Sequence, residues 1–451
     1  MDTGTMPRTP RTLDDMGIPI GLIQDLAVRR ALYEGRTSTV RLSEGLGISL
    51  AIMSQVVENL RDLRHIDLLG MDGRDHIFEL TEQGREHARE RAALCQYAGH
   101  APVSLKAYTA MIAAQQRPPA VTHETMRHAF ADLVVSDRLI DELGPALLTE
   151  GAMFLYGPPG TGKTSVAERL IRTHTDPVLV PRCVEVDSQI ITVFDPVVHE
   201  PVSPQPPDLD PRWVLCRRPS IVVGGELQAS MMDLTFEPNS GVYLAPIQMQ
   251  ANNGLLVIDD FGRQTITPEA LLNRWIVPLD RRCDFLSLTY GVRFQIPFDV
   301  KVVFSTNLAP ETLGDEAFYR RIQNKILVSS IGDAEFDTVL RLAAHAHGIT
   351  IGPGAEQYLR DISRRLGDGD LRPYLPREVC KILKAVCEFN HIPLVLDVEG
   401  VDRVASIYFT RAGELRSAEA ETASAAGGFS APEPGPAPVS APPLPPRTSS
   451  F

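Results

Sequence analysis

The sequence contains few cysteines, and they show no pairing pattern. Six cysteines are spread over 451 residues, with no Cys-x-x-Cys pair and no histidine at metal-ligand spacing. This distribution argues against a zinc cluster and against a disulfide framework. It favours reduced, mostly buried thiols in a cytoplasmic protein.

The chain also lacks net positive charge and long apolar runs. Its formal net charge of −13 argues against a protein that binds nucleic acid through its overall charge. The N-terminus has no basic start followed by an apolar run, so no signal peptide is predicted. No apolar stretch approaches the length of a membrane span. The composition, 43% hydrophobic and 22% charged, is that of a globular protein, and the length predicts two or three domains.

A glycine-rich loop is the most informative motif in the sequence. It reads G-x-x-x-x-G-K-T and lies between the apolar run at 153–156 and a segment with helical spacing at 165–172. Strand, loop and helix in this order are the context that a phosphate-binding loop requires. The residues predicted to bind the nucleotide are Gly157, Pro158, Pro159, Gly160, Thr161, Gly162, Lys163, Thr164 and Ser165.

The residue types of this loop explain the expected chemistry. Gly160 and Gly162 allow a tight turn, so that backbone N–H groups face an anion at the start of a helix. Lys163 provides a positive charge for the β- and γ-phosphates, and Thr164 provides a hydroxyl for Mg²⁺.

Two further apolar segments end in polar residues. The run 254–258 reads as a buried parallel strand and is followed by Asp259 and Asp260. Ligands bind at this end of parallel strands, so Asp259 is predicted to hold Mg²⁺ and Asp260 to deprotonate the attacking water. A second strand, 301–306, is followed by Asn307, which is predicted to reach the γ-phosphate or the water.

Paired arginines complete the set of candidate site residues. Arg320 and Arg321 lie near the end of a predicted helix, and guanidinium groups stabilise charge on a phosphoryl group in transfer. Each arginine considered alone would be a salt-bridged surface residue.

The first hundred residues predict three helices followed by a β-hairpin, an arrangement that resembles a winged helix-turn-helix domain. They contain 12 arginines, no lysine and 15 acidic residues. The expected recognition helix carries Arg61 and Arg64 together with Glu58 and Asp62. DNA binding is therefore the alternative, and protein docking on the same scaffold is favoured.

Together, these segments resemble the AAA+ ATPases over roughly residues 122–409. The resemblance implies that Asp259 and Asp260 are the Walker B residues and that Asn307 is the first sensor. It also implies that Arg321, with Arg320 beside it, is an arginine finger acting on a neighbouring subunit. The segment LPREV resembles the second-sensor helix, which would bring Arg377 to the γ-phosphate.

Within this superfamily, the segment before Asp259 resembles the branch that includes the MoxR-like, McrB-like and magnesium-chelatase ATPases. The chain is placed nearest the MoxR-like ATPases with chaperone-type activity. The family usually has glutamate at the position of Asp260, so a slow hydrolysis rate is expected. The resemblance implies a homo-oligomeric ring, with a hexamer as the expected form. The cofactors expected are ATP and Mg²⁺, since no Asn-Lys-x-Asp guanine reader is present.

The predicted fold class is α/β, with a parallel P-loop sheet, a C-terminal helical lid and an N-terminal winged-helix-like domain. The predicted function is ATP hydrolysis that remodels or assembles a protein partner, which the N-terminal domain recruits. The alternatives are an ATP-dependent DNA-binding regulator of transcription or replication and a nucleotide-gated assembly switch.

The predicted limits are 16–95 for the winged-helix-like domain, 96–121 for a linker, 122–332 for the ATPase core, 333–412 for the lid and 413–451 for a disordered tail rich in proline, alanine and serine.

Overall fold

The structure is a computed structural model. It describes residues 6–73, 75–118, 121–309, 322–366 and 369–409. Arg320, Arg321 and the predicted tail at 413–451 lie outside these described residues.

Helices are distributed along the whole described chain. Their bounds are α1 Leu13–Met16, α2 Ile20–Glu34, α3 Thr39–Leu46, α4 Leu50–Asp62, α5 Glu82–Leu94, α6 Leu105–Ala114, α7 His123–Ala129, α8 Asp137–Leu148, α9 Lys163–Arg169, α10 Ile247–Gln250, α11 Pro268–Arg281, α12 Asp333–His347, α13 Ala355–Leu366, α14 Leu375–Asn390 and α15 Val398–Tyr408.

The strands are short, and most of them lie between residues 150 and 330. Their bounds are β1 Thr37–Ser38, β2 Ile66–Asp72, β3 Asp75–Leu80, β4 Val103–Ser104, β5 Met153–Tyr156, β6 Val178–Pro181, β7 Cys183–Val186, β8 Gln189–Thr192, β9 Trp213–Cys216, β10 Ser220–Val223, β11 Thr235–Glu237, β12 Val242–Leu244, β13 Gly254–Ile258, β14 Cys283–Ser287, β15 Arg293–Pro297, β16 Val300–Thr306, β17 Asn324–Leu327, β18 Thr350–Ile351 and β19 Val395–Leu396.

A parallel sheet forms the centre of the first part of the chain. Its strand order is β10-β13-β16-β5-β17, and every neighbouring pair is parallel. Alternate residues of β13 enter two different cores: Leu256 and Ile258 pack on one face, and Leu255 and Val257 on the other. Burial on both faces explains why the strand sequences are almost continuously apolar. The predicted α/β fold with a parallel sheet is confirmed.

A second sheet is built from the segment before β13. Its order is β11-β12-β8-β7-β4, and β4 pairs in parallel with β7. Val103, Tyr108 and Ile112, from β4 and α6, are buried in the same core. Residues 96–121 were predicted to form a linker with one short helix; the segment contains that helix, α6, and also the short strand β4, and both pack into the core of this sheet.

The N-terminal region packs α2, α3, α4 and α5 with a small antiparallel sheet of order β1-β3-β2. Strands β2 and β3 form a hairpin, and β2 is exposed from its second residue onward. No single helix in the described residues is long and apolar enough to cross a membrane. The bent pair α3 and α4 passes that test by length and composition, and most of its large apolar residues are buried in the core, with Leu50 exposed.

The chain divides into two compact units, Met1–Val339 with Arg372–Tyr374 and Leu340–Leu371 with Leu375–Phe451. The described part of the second unit is mainly helical, with one short parallel pair, β18 and β19. Within it, the Asp397 carboxylate caps α15 by accepting from the Gly400 amide at 2.7 Å. The domain limits given above remain predictions.

Candidate nucleotide site

The glycine-rich loop joins β5 to α9, as the motif predicted. Gly157, Gly160 and Gly162 all have positive φ angles, of 147°, 79° and 89°. A side chain at Gly157 would begin only 2.3 Å from the backbone carbonyl oxygen of Val328. The loop therefore requires glycine both for its backbone conformation and for its close approach to the end of β17.

Lys163, the first residue of α9, is buried in the loop. Its ammonium donates to the carbonyl oxygens of Gly157, at 3.1 Å, and Pro158, at 2.8 Å, and to Asn307 Oδ1, at 2.7 Å. Burial lowers the pKa of Lys163, and the nearby charges of Asp259 and Asp260 partly offset this effect. The ammonium thus lies between the phosphate loop and the polar ends of two neighbouring strands.

Thr164 and Asp259 form the second contact between distant segments. Asp259 follows β13 directly, and both of its carboxylate oxygens accept from the Thr164 hydroxyl, at 2.9 and 2.8 Å. Hydroxyl and carboxylate oxygens are ligands that Mg²⁺ prefers. The donor set fits a magnesium ion held between the start of α9 and the end of β13.

Asp260 is exposed and has a left-handed backbone, with a φ of 49°. Its Oδ1 accepts a hydrogen bond of 3.3 Å from Asn307 Nδ2. Asn307 therefore uses both ends of its amide, one toward Lys163 and the other toward Asp260. The carboxylate that was predicted to act as the base is held at the rim of the same cluster.

Two polar residues that the sequence did not single out support the loop after β13. Gln264 donates to the Asp259 carbonyl at 2.7 Å and accepts from the Gly262 amide at 2.8 Å. Thr306 donates to the Phe261 carbonyl at 2.7 Å. The signal available in the sequence was a glutamine five residues after Asp259, in a stretch that otherwise resembles an ordinary turn.

A tyrosine also lies against the phosphate loop. A methyl group added at Gly160 would begin 2.3 Å from Cε1 of Tyr374, which belongs to the first compact unit. The Tyr374 ring thus covers the loop backbone, a contact that no sequence pattern indicated. Only glycine at position 160 leaves room for the ring.

The sequence also predicts Ser165 and three arginines as site residues. Ser165 follows Thr164 in α9 and is half-buried. Arg377 lies in the first turn of α14, in the second unit. Arg320 and Arg321 lie outside the described residues. The roles of these three arginines remain predictions.

The arrangement provides the groups that a magnesium–nucleotide complex requires. Backbone N–H groups at the start of α9 and the Lys163 ammonium are suited to phosphate oxygens. Thr164 and Asp259 are suited to a divalent cation, and Asp260 and Asn307 lie beside them. A strand, a glycine-rich loop and a helix within a parallel sheet make this a P-loop α/β fold.

Comparisons with known proteins add little information about the function of this site. A family model described as Domain of unknown function (DUF8689) matches residues 332–407. No curated protein matches the sequence.

Two solved structures to which the chain is similar come from bacterial proteins. For NtrX from Brucella abortus the identity is 12% and the TM-score 0.37, over 70% of this chain; the chain spans only 59% of NtrX. For the Thermotoga maritima RuvB Holliday junction branch migration motor the identity is 14% and the TM-score 0.33, over 65% of this chain and 72% of RuvB. The strand order and the loop geometry, rather than these distant similarities, establish the fold.

Proposed function

We propose that this chain is a Mg²⁺-dependent ATPase of the AAA+ superfamily, nearest the MoxR-like members, which remodels or assembles a protein partner. The observation that carries the proposal is the convergence of three segments on one cluster. Lys163 bonds to Asn307, Thr164 bonds to Asp259, and Asn307 bonds to Asp260. The bonded residues are 144, 95 and 47 positions apart in sequence, respectively, which is further than a local turn connects.

Each residue then has a role that follows from its place. Bound ATP and Mg²⁺ supply the phosphoryl group and the charge that neutralises it. Lys163 offsets negative charge on the phosphate oxygens, while Thr164 and Asp259 orient the cation. Asn307 holds the side chains of Lys163 and Asp260 at a fixed separation. Asp260, exposed at the rim, accepts the proton of the attacking water.

Partner recruitment is assigned to the N-terminal winged-helix-like module. Leu68, Leu69 and Met71 are exposed on β2, which is the edge strand of its sheet, and Asp67 and Asp72 flank them. Exposed apolar side chains beside acidic groups are suited to a protein surface, whereas DNA backbones require arginine and lysine. This surface supports docking of a protein.

A homo-oligomeric ring, with a hexamer as the expected form, is part of the proposal. It rests on the sequence resemblance of Arg321 and Arg320 to a finger that completes a neighbour's site. Arg377 is assigned to the γ-phosphate on the same basis.

Steady-state release of phosphate tests the activity. We expect turnover with ATP and Mg²⁺, loss of turnover when a chelator removes Mg²⁺, and a preference for ATP over GTP. Tight binding of ATP with no release of phosphate, even with a partner present, would instead favour the assembly switch.

The DNA-binding regulator is a second candidate because Arg61 and Arg64 line a groove of about 660 Å³ beside β2. Asp67 and Glu82 line the same groove. Filter binding of duplex DNA by the full chain at physiological salt separates the two functions. Sequence-selective binding that is lost in Arg61→Ala/Arg64→Ala would favour the regulator.

A further inference from the structure

A polar cavity of about 400 Å³ lies at the opposite end of the parallel sheet from the phosphate loop. Gly254 and Val300, the first residues of β13 and β16, form part of its wall. The five residues of β13 separate the cavity from Asp259, a distance of about 16 Å at the usual rise per residue. The charged groups that line it are Arg117, Arg218, Arg282, Lys301, Glu150 and Asp299.

Two of the four cationic side chains are already engaged in hydrogen bonds to other parts of the chain. The Lys301 ammonium donates to the carbonyl oxygens of Ala146, Thr149 and Gly151, at 2.6 to 2.8 Å. The Arg218 guanidinium is paired with Asp176 at 2.7 Å and is also bonded to backbone carbonyls. Lys301 therefore contributes positive charge at a fixed position, whereas the Asp176 carboxylate offsets the charge of Arg218.

The other two cationic side chains, Arg117 and Arg282, make no hydrogen bond or ion pair within the part of the chain that the structure describes. Arg282 lies near enough to Lys301 for like charges to interact. Burial, with a smaller contribution from this repulsion, lowers the pKa of Lys301 to about 8. Among the described residues, no acidic side chain of the cavity pairs with Arg117 or Arg282.

A buried histidine nitrogen adds an unused polar group to the same wall. Nδ1 of His174 is inaccessible to solvent and has no hydrogen-bond partner among the described residues. A buried polar atom without a partner costs free energy unless a ligand or water satisfies it. Because this atom is closed to solvent, the groups that an occupant of the cavity could reach are those of the two arginines.

We propose that this cavity binds a small phosphate-type anion, inorganic phosphate or pyrophosphate, at a site distinct from the phosphate loop. The Arg282 and Arg117 guanidiniums donate to its oxygens, because a planar guanidinium pairs well with phosphate. Lys301 adds positive charge beside them. The inference does not depend on whether the protein hydrolyses ATP.

Equilibrium dialysis of the full chain with radiolabelled phosphate, and separately with pyrophosphate, tests the proposal. The Lys163→Ala variant is used throughout, so that binding at the phosphate loop does not contribute. We expect one anion per chain, and at least tenfold weaker binding when Arg282→Gln is added. Whichever of the two anions binds more tightly is the better match to the site.

Arg281→Gln in the same background is the matched control, because Arg281 is the exposed neighbour of Arg282 at the end of α11 and does not line the cavity. It is expected to leave binding unchanged. Arg117→Gln, in an exposed segment, gives a second test should Arg282→Gln unfold, and it is expected to weaken binding as well. Absence of binding to Lys163→Ala, or equal binding with and without Arg282 and Arg117, would overturn the proposal.

Discussion

The Lys163 ammonium donates to Asn307 Oδ1 across 2.7 Å, although the two residues are 144 positions apart in sequence. Strand β16 carries Asn307 to the phosphate loop because it pairs in parallel with β5. The bond ties the predicted phosphate-binding lysine to the predicted first sensor. A change at Asn307 therefore alters the environment of the ammonium directly.

Replacing Asn307 by aspartate is expected to weaken ATP binding about tenfold, because an opposite charge beside a partly buried ammonium competes with phosphate for it. Titration with a fluorescent ATP analogue measures the affinity. Asn239→Asp, in an exposed turn, is the control and is expected to bind normally. Unchanged affinity in Asn307→Asp would show that Lys163 does not contact the nucleotide.

The contact between Thr164 and Asp259 predicts a magnesium phenotype. Thr164→Val keeps the shape of the side chain and removes the hydroxyl, so turnover is expected to fall about a hundredfold, as when other oriented polar groups are removed from active sites. Binding of ATP without Mg²⁺ should be little affected. Thr338→Val, on an exposed helix surface, is the matched control. Full Mg²⁺-dependent turnover in Thr164→Val would show that Thr164 does not bind the metal ion.

The left-handed backbone at Asp260 predicts a difference between two substitutions. Alanine in this conformation costs roughly 1–2 kcal/mol, whereas asparagine tolerates it better. Asp260→Ala should therefore unfold about 1 kcal/mol more easily than Asp260→Asn in guanidinium titrations. The same pair of changes at Asp67, in the exposed strand β2, should show no such difference. Equal stabilities at position 260 would mean that the residue leaves the left-handed region.

The histidine in the anion cavity predicts how stability depends on pH. Burial and the nearby Arg218 lower the pKa of His174 to about 4, against 6.5 for an ordinary histidine. Between these values the unfolded chain binds a proton that the folded chain does not, so the free energy of unfolding falls as pH decreases from 6.5 to 4.

His174→Gln should remove up to about 1.4 kcal/mol of stability change per pH unit in that window. Urea titrations at pH 5, 6 and 7 measure the slope. His76→Gln, at an exposed position, should leave the slope unchanged. A slope that is the same in wild type and His174→Gln would contradict the assignment.

The phosphate loop and the central sheet were predictable because each depends on local pattern. The loop residues have fixed spacing, and β13 and β16 are continuous apolar runs that end in polar side chains. The C-terminal helical lid was predictable for a similar reason: its apolar residues recur at helical spacing, and α12, α13, α14 and α15 lie within the predicted range 333–412.

Other features depend on contacts between distant segments, which sequence patterns do not record. Strands β6 to β12 are three or four residues long and lie among prolines, so their pairing order had no periodic signal. The segment with Tyr108 resembled a linker because its glycine and proline residues outweighed one short apolar stripe. The left-handed backbone of Asp260 and the cover that Tyr374 forms over Gly160 depend on tertiary structure alone.

The most direct test of the account compares ATP binding and phosphate release in wild type, Lys163→Ala and Asp260→Asn. We expect Lys163→Ala to lose ATP binding. We expect Asp260→Asn to bind ATP as the wild type does and to release phosphate 10² to 10⁴ times more slowly, roughly the contribution of a general base. Normal turnover in Asp260→Asn would contradict the assignment of the catalytic base, and normal ATP binding in Lys163→Ala would contradict the site itself.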